Sequence, residues 1–404
     1  MKKIGTRLFL MDSGERFCVV LNKTTGVPLH YPNIYLINEY RNCGKSISTI
    51  ELVGASISML YNFLSDMGID LVDRILSQSF LSINEIDALR DFTTISTKRI
   101  DIIKRSKSRH CSISVRPATK YFRLTSMANY LEWLCQILLM DLDVNQERIS
   151  VFIKQIEKRR PVVKKRNALS VEDKGLNEEQ INLLLKTIQI NSDINPFITD
   201  VQVRNRLMIL ILYTLGIRCG ELLNLQITDI DFHDGSISIR RRADEKSDPR
   251  RRQPLVKTLE RKIELSDVLL KEIRNYMLNE RRKFKKARRH SYLFVTHKSG
   301  PTQGQPISKS GYNNIISEIK KTSLELSNFA GHQLRHTWNN NFSKAMDASG
   351  DVGEIEQEKI RSYNMGWSEK SKTSSIYNER FIREKAGIVA LSLQNDQLKK
   401  GGLR

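Results

Sequence analysis

Apolar and polar residues alternate in short runs over the first 45 residues, for example in FCVVLN (17–22) and NIYLIN (33–38), with turn-forming residues between them. A period of two is typical of β-strands. From about residue 50 the period changes. Apolar residues then recur every three or four positions in the segments 50–68, 83–94 and 125–142. The pattern predicts a small β-containing arm followed by a helical domain.

A third region follows, in which helical and strand-like segments are mixed. Its first helix is expected at GLNEEQINLLLKTI, with Asn177 as the N-cap. Strand-like runs come next (SISIRRR, PLVKT and RKIELS), and helical patterns continue to the C-terminus. We predict that PLVKT and RKIELS pair as a β-hairpin. This order is typical of an α+β domain.

These changes of pattern divide the chain into five parts. They are an N-terminal arm (1–45), a helical domain (46–153), a basic linker (154–169), an α+β domain (170–395) and a tail (396–404). The fold class predicted from the pattern is therefore multidomain and mainly α, with one α+β domain.

The charge balance adds a partner to this picture. The 404 residues include 66 Lys and Arg against 45 Asp and Glu, a formal charge of +21. Such an excess favours a polyanion, because each neutralised phosphate releases counterions. No apolar run of 18 residues favours a membrane instead. Five scattered cysteines without a CxxC pair argue against disulfides or structural zinc, so we expect a cytoplasmic, DNA-associated protein.

Basic residues crowd into two segments that are candidates for contact with DNA phosphates. The first segment lies between two predicted helices, and the second is the linker. The candidates are Lys104, Arg105, Lys107, Arg109, Lys158, Arg159, Arg160, Lys164 and Lys165. A solvated loop is the alternative for the first segment. A third basic run, 281–290, fits a phosphate contact and a solvated helix end equally well.

Candidate chemistry begins at GIRCGEL (216–222), after an apolar helix. Arg218 lies in a turn between two glycines, where its guanidinium could donate to a phosphate or serve only as a turn residue. Glu221, three positions later, could orient a neighbouring cation.

A second group lies in HQLRHT (332–337). Spacing of three and four places Arg335 and His336 on the same helix face as His332. An imidazole can accept a proton near neutrality. The HxxxH pair could also bind a metal, but Gln333 stands where a metalloprotease motif has glutamate, so no metal site is expected.

Taken in order, GxRxGEL, HxLRHT and a tyrosine some forty residues later resemble the tyrosine-recombinase, or phage integrase, family. The resemblance covers about 175–390, and 50–153 is more weakly similar to the family's helical, SAM-like core-binding domain. It implies a DNA breaking-rejoining fold for 170–395. It also implies that Arg218 and Arg335 clamp the phosphate with His332 between them, while Glu221 and His336 support them.

The same resemblance identifies Tyr377, in TSSIYNERF, as the nucleophile. Tyr363 is the nearest competitor, but it precedes Gly366-Trp367, where most members of the family have Gly-His. The indole N–H of Trp367 can still donate a hydrogen bond, or the residue could belong to the core.

The family's general-acid lysine lies in a β-hairpin between the two arginines. Lys257, at the end of PLVK, is favoured for this role. Lys246 is the alternative, and it lies beside Glu245 and Asp248 in a loop expected to be exposed.

The resemblance implies a site-specific recombinase that acts through a 3′-phosphotyrosyl intermediate and a Holliday junction, without metal, cofactor or ATP. Its partners would be duplex DNA with specific sites, further copies of the chain in a tetramer, and an accessory DNA-bending protein. Its role would be integration or excision of a mobile element. The alternatives are a type IB topoisomerase and an inactive DNA-binding protein.

Overall fold

The computed structural model describes residues 3–95, 114–140, 146–162, 174–349, 353–368 and 390–394. The chain divides into two compact units, 1–170 and 171–404. Each unit contains its own hydrophobic core, so each is described by itself. The prediction of a mainly helical chain with more than one folding unit is confirmed.

The N-terminal unit combines a β-hairpin with helices. Strands β1 (Ile4–Leu10) and β2 (Arg16–Asn22) pair antiparallel, with Ile4 opposite Asn22. The helices are α1 (His30–Leu36), α2 (Ile47–Asp66), α3 (Leu71–Leu76), α4 (Ile83–Phe92), α5 (Pro117–Leu138) and α6 (Gln146–Lys158).

The hairpin shares its core with the helices. Phe17, Cys18 and Val20 of β2 are buried in the same cluster as Ile57 and Leu60 of α2. The boundary expected at residue 45 therefore does not coincide with a division of the core. By length and composition α2 could also cross a membrane, but 61% of its apolar window is buried in this unit, as in a core helix.

The strand expected at NIYLIN is wrong. Its first four residues belong to helix α1, and its last two begin a π-turn at Ile37–Arg41. Asn33 explains the difference. Its side-chain amide donates to the Val20 carbonyl at 2.8 Å, and its side-chain oxygen accepts from the Val20 N–H at 2.9 Å. A polar side chain thus ties the helix to β2, while Tyr35 and Leu36 are buried.

The linker expected from residue 154 begins later, because α6 runs through to Lys158. Ile149, Phe152, Ile153 and Ile156 are buried at helical spacing, and Ile156 lies inside the expected linker. The charged residues around Ile156 made this apolar helical stripe unrecognisable in the sequence. Residues 163–169 of the linker lie outside the described residues.

The second unit is α+β, as predicted. Its helices are α7 (Glu178–Thr187), α8 (Thr199–Leu215), α9 (Cys219–Asn224), α10 (Asp267–Asn275), α11 (Lys309–Lys320), α12 (Gly331–Ser349) and α13 (Glu354–Met365). Its sheet has the order β3 (Ile230–Asp231), β4 (Ser236–Ile239), β5 (Arg261–Glu264). Asn177 caps α7 as expected, accepting from the Gln180 N–H at 2.8 Å.

The predicted hairpin between PLVKT and RKIELS is wrong. Strand β5 pairs with β4, with Ile239 opposite Arg261, and residues 254–257 lie in the loop 240–260 that connects these two strands. That loop rests on α9, where a Cβ at Gly220 would lie only 2.5 Å from the Leu255 carbonyl oxygen. Glycine at this position therefore lets the loop backbone pack directly on the helix, in place of a strand partner.

Buried charges fix the middle of this loop, at residues 248–250. Arg250 donates to the carbonyls of Leu223 (2.9 Å) and Ile307 (3.0 Å), and it pairs with Asp248 at 2.8 Å. Asp248 is fully buried, although the loop was expected to be exposed there.

Candidate active site

The turn between α8 and α9 carries Arg218. Gly216 ends α8 at φ +60°, and a Cβ there would lie 2.7 Å from Cγ of Trp338, so both conformation and space require glycine. Arg218 is the N-cap of α9, with a side chain 31% exposed. Its Nη1 has no hydrogen-bond partner among the described residues. The turn therefore holds a guanidinium with an unused donor.

Glu221 is the buried centre of the site, with its side chain only 1% exposed. Its carboxylate accepts from Arg261 Nη2 (2.8 Å), Thr258 Oγ1 (2.7 Å) and the Arg218 backbone N–H (3.2 Å), whereas Arg218 Nη1 lies 3.7 Å away. Burial raises the pKa of Glu221, but Arg261, the charge of Arg335 and the Thr258 hydrogen bond outweigh it and hold that pKa below its usual range. The carboxylate is therefore ionised at neutral pH.

Arg335 joins three distant segments. Its Nη1 donates to the Gly216 carbonyl at 2.9 Å and its Nη2 to the Met365 carbonyl at 2.8 Å, over 119 and 30 positions of sequence. Its guanidinium carbon lies 5.7 Å from the centre of the Trp367 ring. The residue is 1% exposed, so Arg335 holds the turn before Arg218 against the end of α13.

His332 lies beside both arginines. Its ring is 4.7 Å from the ring of His336 in an edge-to-face arrangement, as expected for one helical turn. The residue as a whole is exposed, but its imidazole is partly surrounded by protein, which is enough to lower its pKa. Burial is the largest cause that lowers the pKa of His332, followed by the charges of Arg335, Arg218 and Lys174. The imidazole is thus neutral and able to accept a proton near pH 7.

Trp367 follows a second left-handed glycine. Gly366 ends α13 at φ +61°, and a Cβ there would lie within 3 Å of Arg261, Thr258 and the Leu259 carbonyl. The Leu259 N–H donates to the Gly366 carbonyl at 2.9 Å. Trp367 is 6% exposed, so it is part of the packed interior beside Arg335. A role for its N–H in phosphate binding stays a prediction.

The two candidate lysines differ in their neighbours. Lys257 is exposed and lies between Leu255, which packs on Gly220, and Thr258, which is bonded to the buried carboxylate. Lys246 is exposed near the other end of the same loop. The chain at Lys257 therefore lies beside Gly220 and the Glu221 carboxylate, and the choice between the two lysines as general acid stays a prediction.

Tyr363 is described and Tyr377 is not. Tyr363 is 59% exposed, and its hydroxyl donates to the Lys262 carbonyl at 3.3 Å. The predicted residues that lie outside the described part of the chain are Tyr377, Lys104, Arg105, Lys107, Arg109, Lys164 and Lys165.

Sequence reasoning missed Arg261 and Thr258, the closest partners of Glu221. A signal was available for Arg261. In β5 it lies two positions before Ile263, so it faces the same side of the sheet as an apolar residue, and an inward charge requires a buried partner. No comparable signal marks Thr258.

The basic candidates at the end of α6 are not equivalent. Arg159 pairs with Asp87 at 3.0 Å and Arg160 with Glu157 at 2.5 Å. Lys158 is exposed. The side chains of Arg159 and Arg160 are only 18% and 15% exposed, so of these three candidates Lys158 is the most accessible to a phosphate.

The basic segment 281–290 is built on one buried arginine. Arg281 donates to the carbonyls of Tyr292 (3.0 Å), Ala287 (2.7 Å) and His290 (2.7 Å). The exposed cations around it are Arg282, Lys283, Lys285, Arg288 and Arg289. Lys283 pairs with Glu280 at 2.9 Å.

Within the described ranges, no group of three or more His, Cys, Asp and Glu side chains is arranged to hold a metal ion.

Comparison with known proteins gives the site a context. The phage integrase family matches residues 174–382. Tyrosine recombinase XerD of Halalkalibacterium halodurans is 26% identical over 165 residues, which are 41% of this chain and 46% of the relative. Tyrosine recombinase XerC of Staphylococcus aureus is 26% identical over 161 residues, or 40% and 45%. The chain thus spans about half the length of the curated relatives it matches.

Solved structures show weaker likeness. A lambda integrase dimer bound to a core site is 13% identical with a TM-score of 0.46, over 92% of this chain and 93% of that one. The XerH recombinase in a post-cleavage complex with its difH substrate is 16% identical with a TM-score of 0.46, over 87% and 82%. At these scores no residue role is transferred.

The family match covers more than half of the chain and includes every described segment of the site. This chain therefore belongs to the phage integrase family, the tyrosine recombinases.

Proposed function

We propose that this chain is a site-specific recombinase that cleaves and rejoins duplex DNA through a phosphotyrosyl link at Tyr377. Membership of the family supports recombination of DNA. The observation that supports the site is the bonding of Arg335, which joins the turn before Arg218 to the helix end before Trp367. Candidate groups from three distant segments thus meet, as phosphoryl transfer without a metal requires.

In the proposed reaction the Tyr377 oxygen attacks the scissile phosphorus, an O–P bond forms, and the bond to the 5′ oxygen breaks. His332 accepts the phenolic proton, and Lys257 donates a proton to the leaving oxygen. Arg218 and Arg335 bind the non-bridging oxygens, whose charge grows in the transition state. The phosphotyrosine keeps the bond energy, so a 5′-hydroxyl can reverse the step without ATP.

The site's electrostatics support these roles. The lowered pKa of His332 keeps a proton acceptor available, and Arg218 Nη1 donates no hydrogen bond to any residue that the structure describes. With Trp367 as a third donor, the charge of the phosphate is met by side chains. We therefore expect cleavage to continue in excess EDTA.

The two arginines differ in access. Arg218 is 31% exposed, whereas Arg335 is 1% exposed and already donates to two carbonyls. Contact between Arg335 and a phosphate therefore requires the site to open when DNA binds.

Both larger domains, 46–153 and 170–395, are proposed to bind the duplex, with the arm (1–45), linker (154–169) and tail (396–404) as accessory segments. The basic candidates around 104–109 and 158–165 would contact backbone phosphates. We propose that the protein acts on chromosomal or element DNA in the cytoplasm. Integration or excision of a mobile element, aided by a DNA-bending protein, is the proposed setting.

Exchange of both strands through a Holliday junction needs four cleavages, so we propose a tetramer on DNA. The apolar end of the 170–395 domain, with Leu391 60% and Leu393 56% exposed, fits docking on a neighbouring copy. Deleting residues 386–404 should leave binding to one half-site intact and weaken cooperative occupancy of two, as measured by gel shift.

The central test is covalent trapping. The duplex most enriched from a randomised pool by Tyr377→Phe protein would be nicked beside the candidate cleavage position, so that a short strand diffuses away after cleavage. Wild-type protein should form an SDS-resistant adduct. Tyr377→Phe should form none, because it lacks the attacking oxygen. It should bind equally well, because the phenolic oxygen adds little to affinity.

An adduct that persists in Tyr377→Phe, or that maps to Tyr363, would contradict the assignment. Absence of any adduct with wild-type protein would favour an inactive DNA-binding protein. Relaxation of supercoiled plasmid by the protein lacking 386–404, with no loss of cooperativity, would favour a type IB topoisomerase.

A further inference from the structure

A buried ion pair connects strand β5 to helix α9. Arg261 and Glu221 are both 1% exposed, and Arg261 Nη2 lies 2.8 Å from Glu221 Oε2. Arg218 lies farther from this carboxylate, at 3.7 Å. The strongest partner of Glu221 is therefore Arg261, which lies 40 positions later in sequence.

The same guanidinium reaches two further segments. Its Nε donates to the Asn364 carbonyl at 2.7 Å, near the end of α13, and its Nη1 donates to Thr258 Oγ1 at 3.2 Å. Asn364 lies three residues before Trp367, and Thr258 follows Lys257. A planar fork with fixed donor directions thus sets the relative positions of three chain segments that carry proposed site residues.

Stability alone does not account for this arrangement. A buried ion pair is often no more stabilising than apolar residues of similar size, because both charges lose their hydration. A rigid pair does, however, fix geometry. Glu221 uses its remaining hydrogen bonds on the Arg218 N–H and on Thr258, so a shift of Glu221 would move both.

We propose that Arg261 is a positioning residue, which holds Glu221, Thr258 and the end of α13 in one arrangement. Through these contacts it places Arg218, Lys257 and Trp367 around the scissile phosphate. This inference rests on the function proposed above.

The test compares three single variants, Arg261→Gln, Arg261→Lys and Arg242→Gln. Arg242→Gln is the matched control, because Arg242 pairs with another buried carboxylate of the same unit, Asp229, whose side chain is 1% exposed. The probe is the nicked duplex selected by Tyr377→Phe protein, and single-turnover adduct formation is measured at saturating protein.

Arg261→Gln should bind the duplex normally and cleave about 10- to 100-fold more slowly, since displacement of a catalytic group by about 1 Å has effects of that size. Arg261→Lys keeps the charge but loses the fork, so its rate should lie between those of Arg261→Gln and wild type. Arg242→Gln should cleave at the wild-type rate.

A second substrate separates positioning from folding. Replacing one non-bridging oxygen with methyl gives a neutral methylphosphonate, which has less need of arginine. On it, the defect of Arg261→Gln should shrink several-fold if Arg261 acts through Arg218. An equal defect on both substrates would overturn the placement of Arg218 by Arg261, and wild-type cleavage by Arg261→Gln would overturn the whole proposal.

The double variant Arg261→Gln/Glu221→Gln removes both charges and should remain slow. Recovery of cleavage would mean that Arg261 only neutralises Glu221, against the proposal. If Arg261→Gln does not fold, the same methylphosphonate comparison with Arg261→Lys decides. Failure of wild-type protein to form an adduct counts against the proposed function and not against this positioning role.

Discussion

The Glu221 cluster (Arg218, Glu221, Thr258, Arg261 and Arg335) and the basic segment 281–290 each contain buried arginine, but these arginines bond over different distances along the chain. Arg335 donates to carbonyls 119 and 30 positions away. Arg281 donates to carbonyls 6, 9 and 11 positions away.

The difference separates two uses of a buried cation. Arg281 shapes a local loop and leaves its neighbours Arg282, Lys285, Arg288 and Arg289 exposed. In the Glu221 cluster the buried cations hold distant segments together and leave one partly exposed guanidinium, that of Arg218. The first arrangement suits binding to a charged surface, and the second suits positioning of reacting groups.

Among variants that compare these two regions, the largest effect is expected beside the Glu221 cluster, at the proposed general acid. Lys257→Ala should slow cleavage by about 10²- to 10⁴-fold, because protonation of the leaving oxygen contributes about that much. A 5′-bridging phosphorothioate has a better leaving group and should restore most of the rate. Single-turnover cleavage of both substrates measures this.

Lys246→Ala is the matched control, since that lysine is exposed in the same loop. It should cleave normal DNA at the wild-type rate. Rescue by the phosphorothioate in Lys246→Ala, and not in Lys257→Ala, would assign the acid to Lys246.

The two buried arginines should also differ in stability. Arg335→Ala leaves two buried carbonyls of separate segments without their donor and creates a cavity. The free energy of unfolding should therefore fall by about 3–5 kcal/mol. Arg281→Ala should cost less, about 1–3 kcal/mol, because a local loop can rearrange to hydrate its carbonyls. Urea unfolding followed by tryptophan fluorescence in a Trp133→Phe background reports on the second unit. Equal losses would remove this distinction.

Features encoded by neighbouring residues were predictable. The N-cap at Asn177, helices α2, α4 and α5, and the face shared by His332 and His336 follow from short spacings, and the structure has them. Partners far apart in sequence were not. The composition of RKIELS does not determine whether it pairs with PLVKT or with SISI, because all three runs are strand-like. In the structure it pairs with SISI, and Leu255 of PLVKT packs on Gly220 instead.

The site shows the same limit. Motifs indicated Arg218, Glu221, His332 and Arg335, but motif spacing could not reveal that Glu221 binds Arg261 more closely than Arg218. That preference depends on the register of β5 against β4, which places Arg261 opposite Ile239. The role of Tyr377 stays a prediction.

A smaller effect is expected on the titration of His332. Burial, then the charges of Arg335 and Arg218, lower its pKa, so its ring should titrate below about 6.5 in NMR of the Tyr377→Phe protein. Since the unfolded chain binds this proton more readily, the histidine's contribution to stability falls as pH drops below about 6.5 and levels off below the folded pKa.

Arg218→Gln removes one of these charges and should raise the pKa of His332. Arg288→Gln, in the basic segment, should leave that pKa unchanged. An equal shift in both variants would mean that the net charge of the unit, and not the Glu221 cluster, sets the titration.

The smallest effect is expected in the basic segment, on the salt dependence of DNA binding. If Arg288 and Arg289 each neutralise a phosphate, the variant Arg288→Gln/Arg289→Gln should reduce the slope of log affinity against log salt by about 0.9 per contact. Lys186→Gln/Lys271→Gln is the control, because it removes the same charge from two exposed lysines on other helices of the unit. It should leave the slope unchanged, and neither variant should alter single-turnover cleavage at saturation. An equal slope change in both would show that only net charge matters, whereas no change in either would make 281–290 a solvated surface.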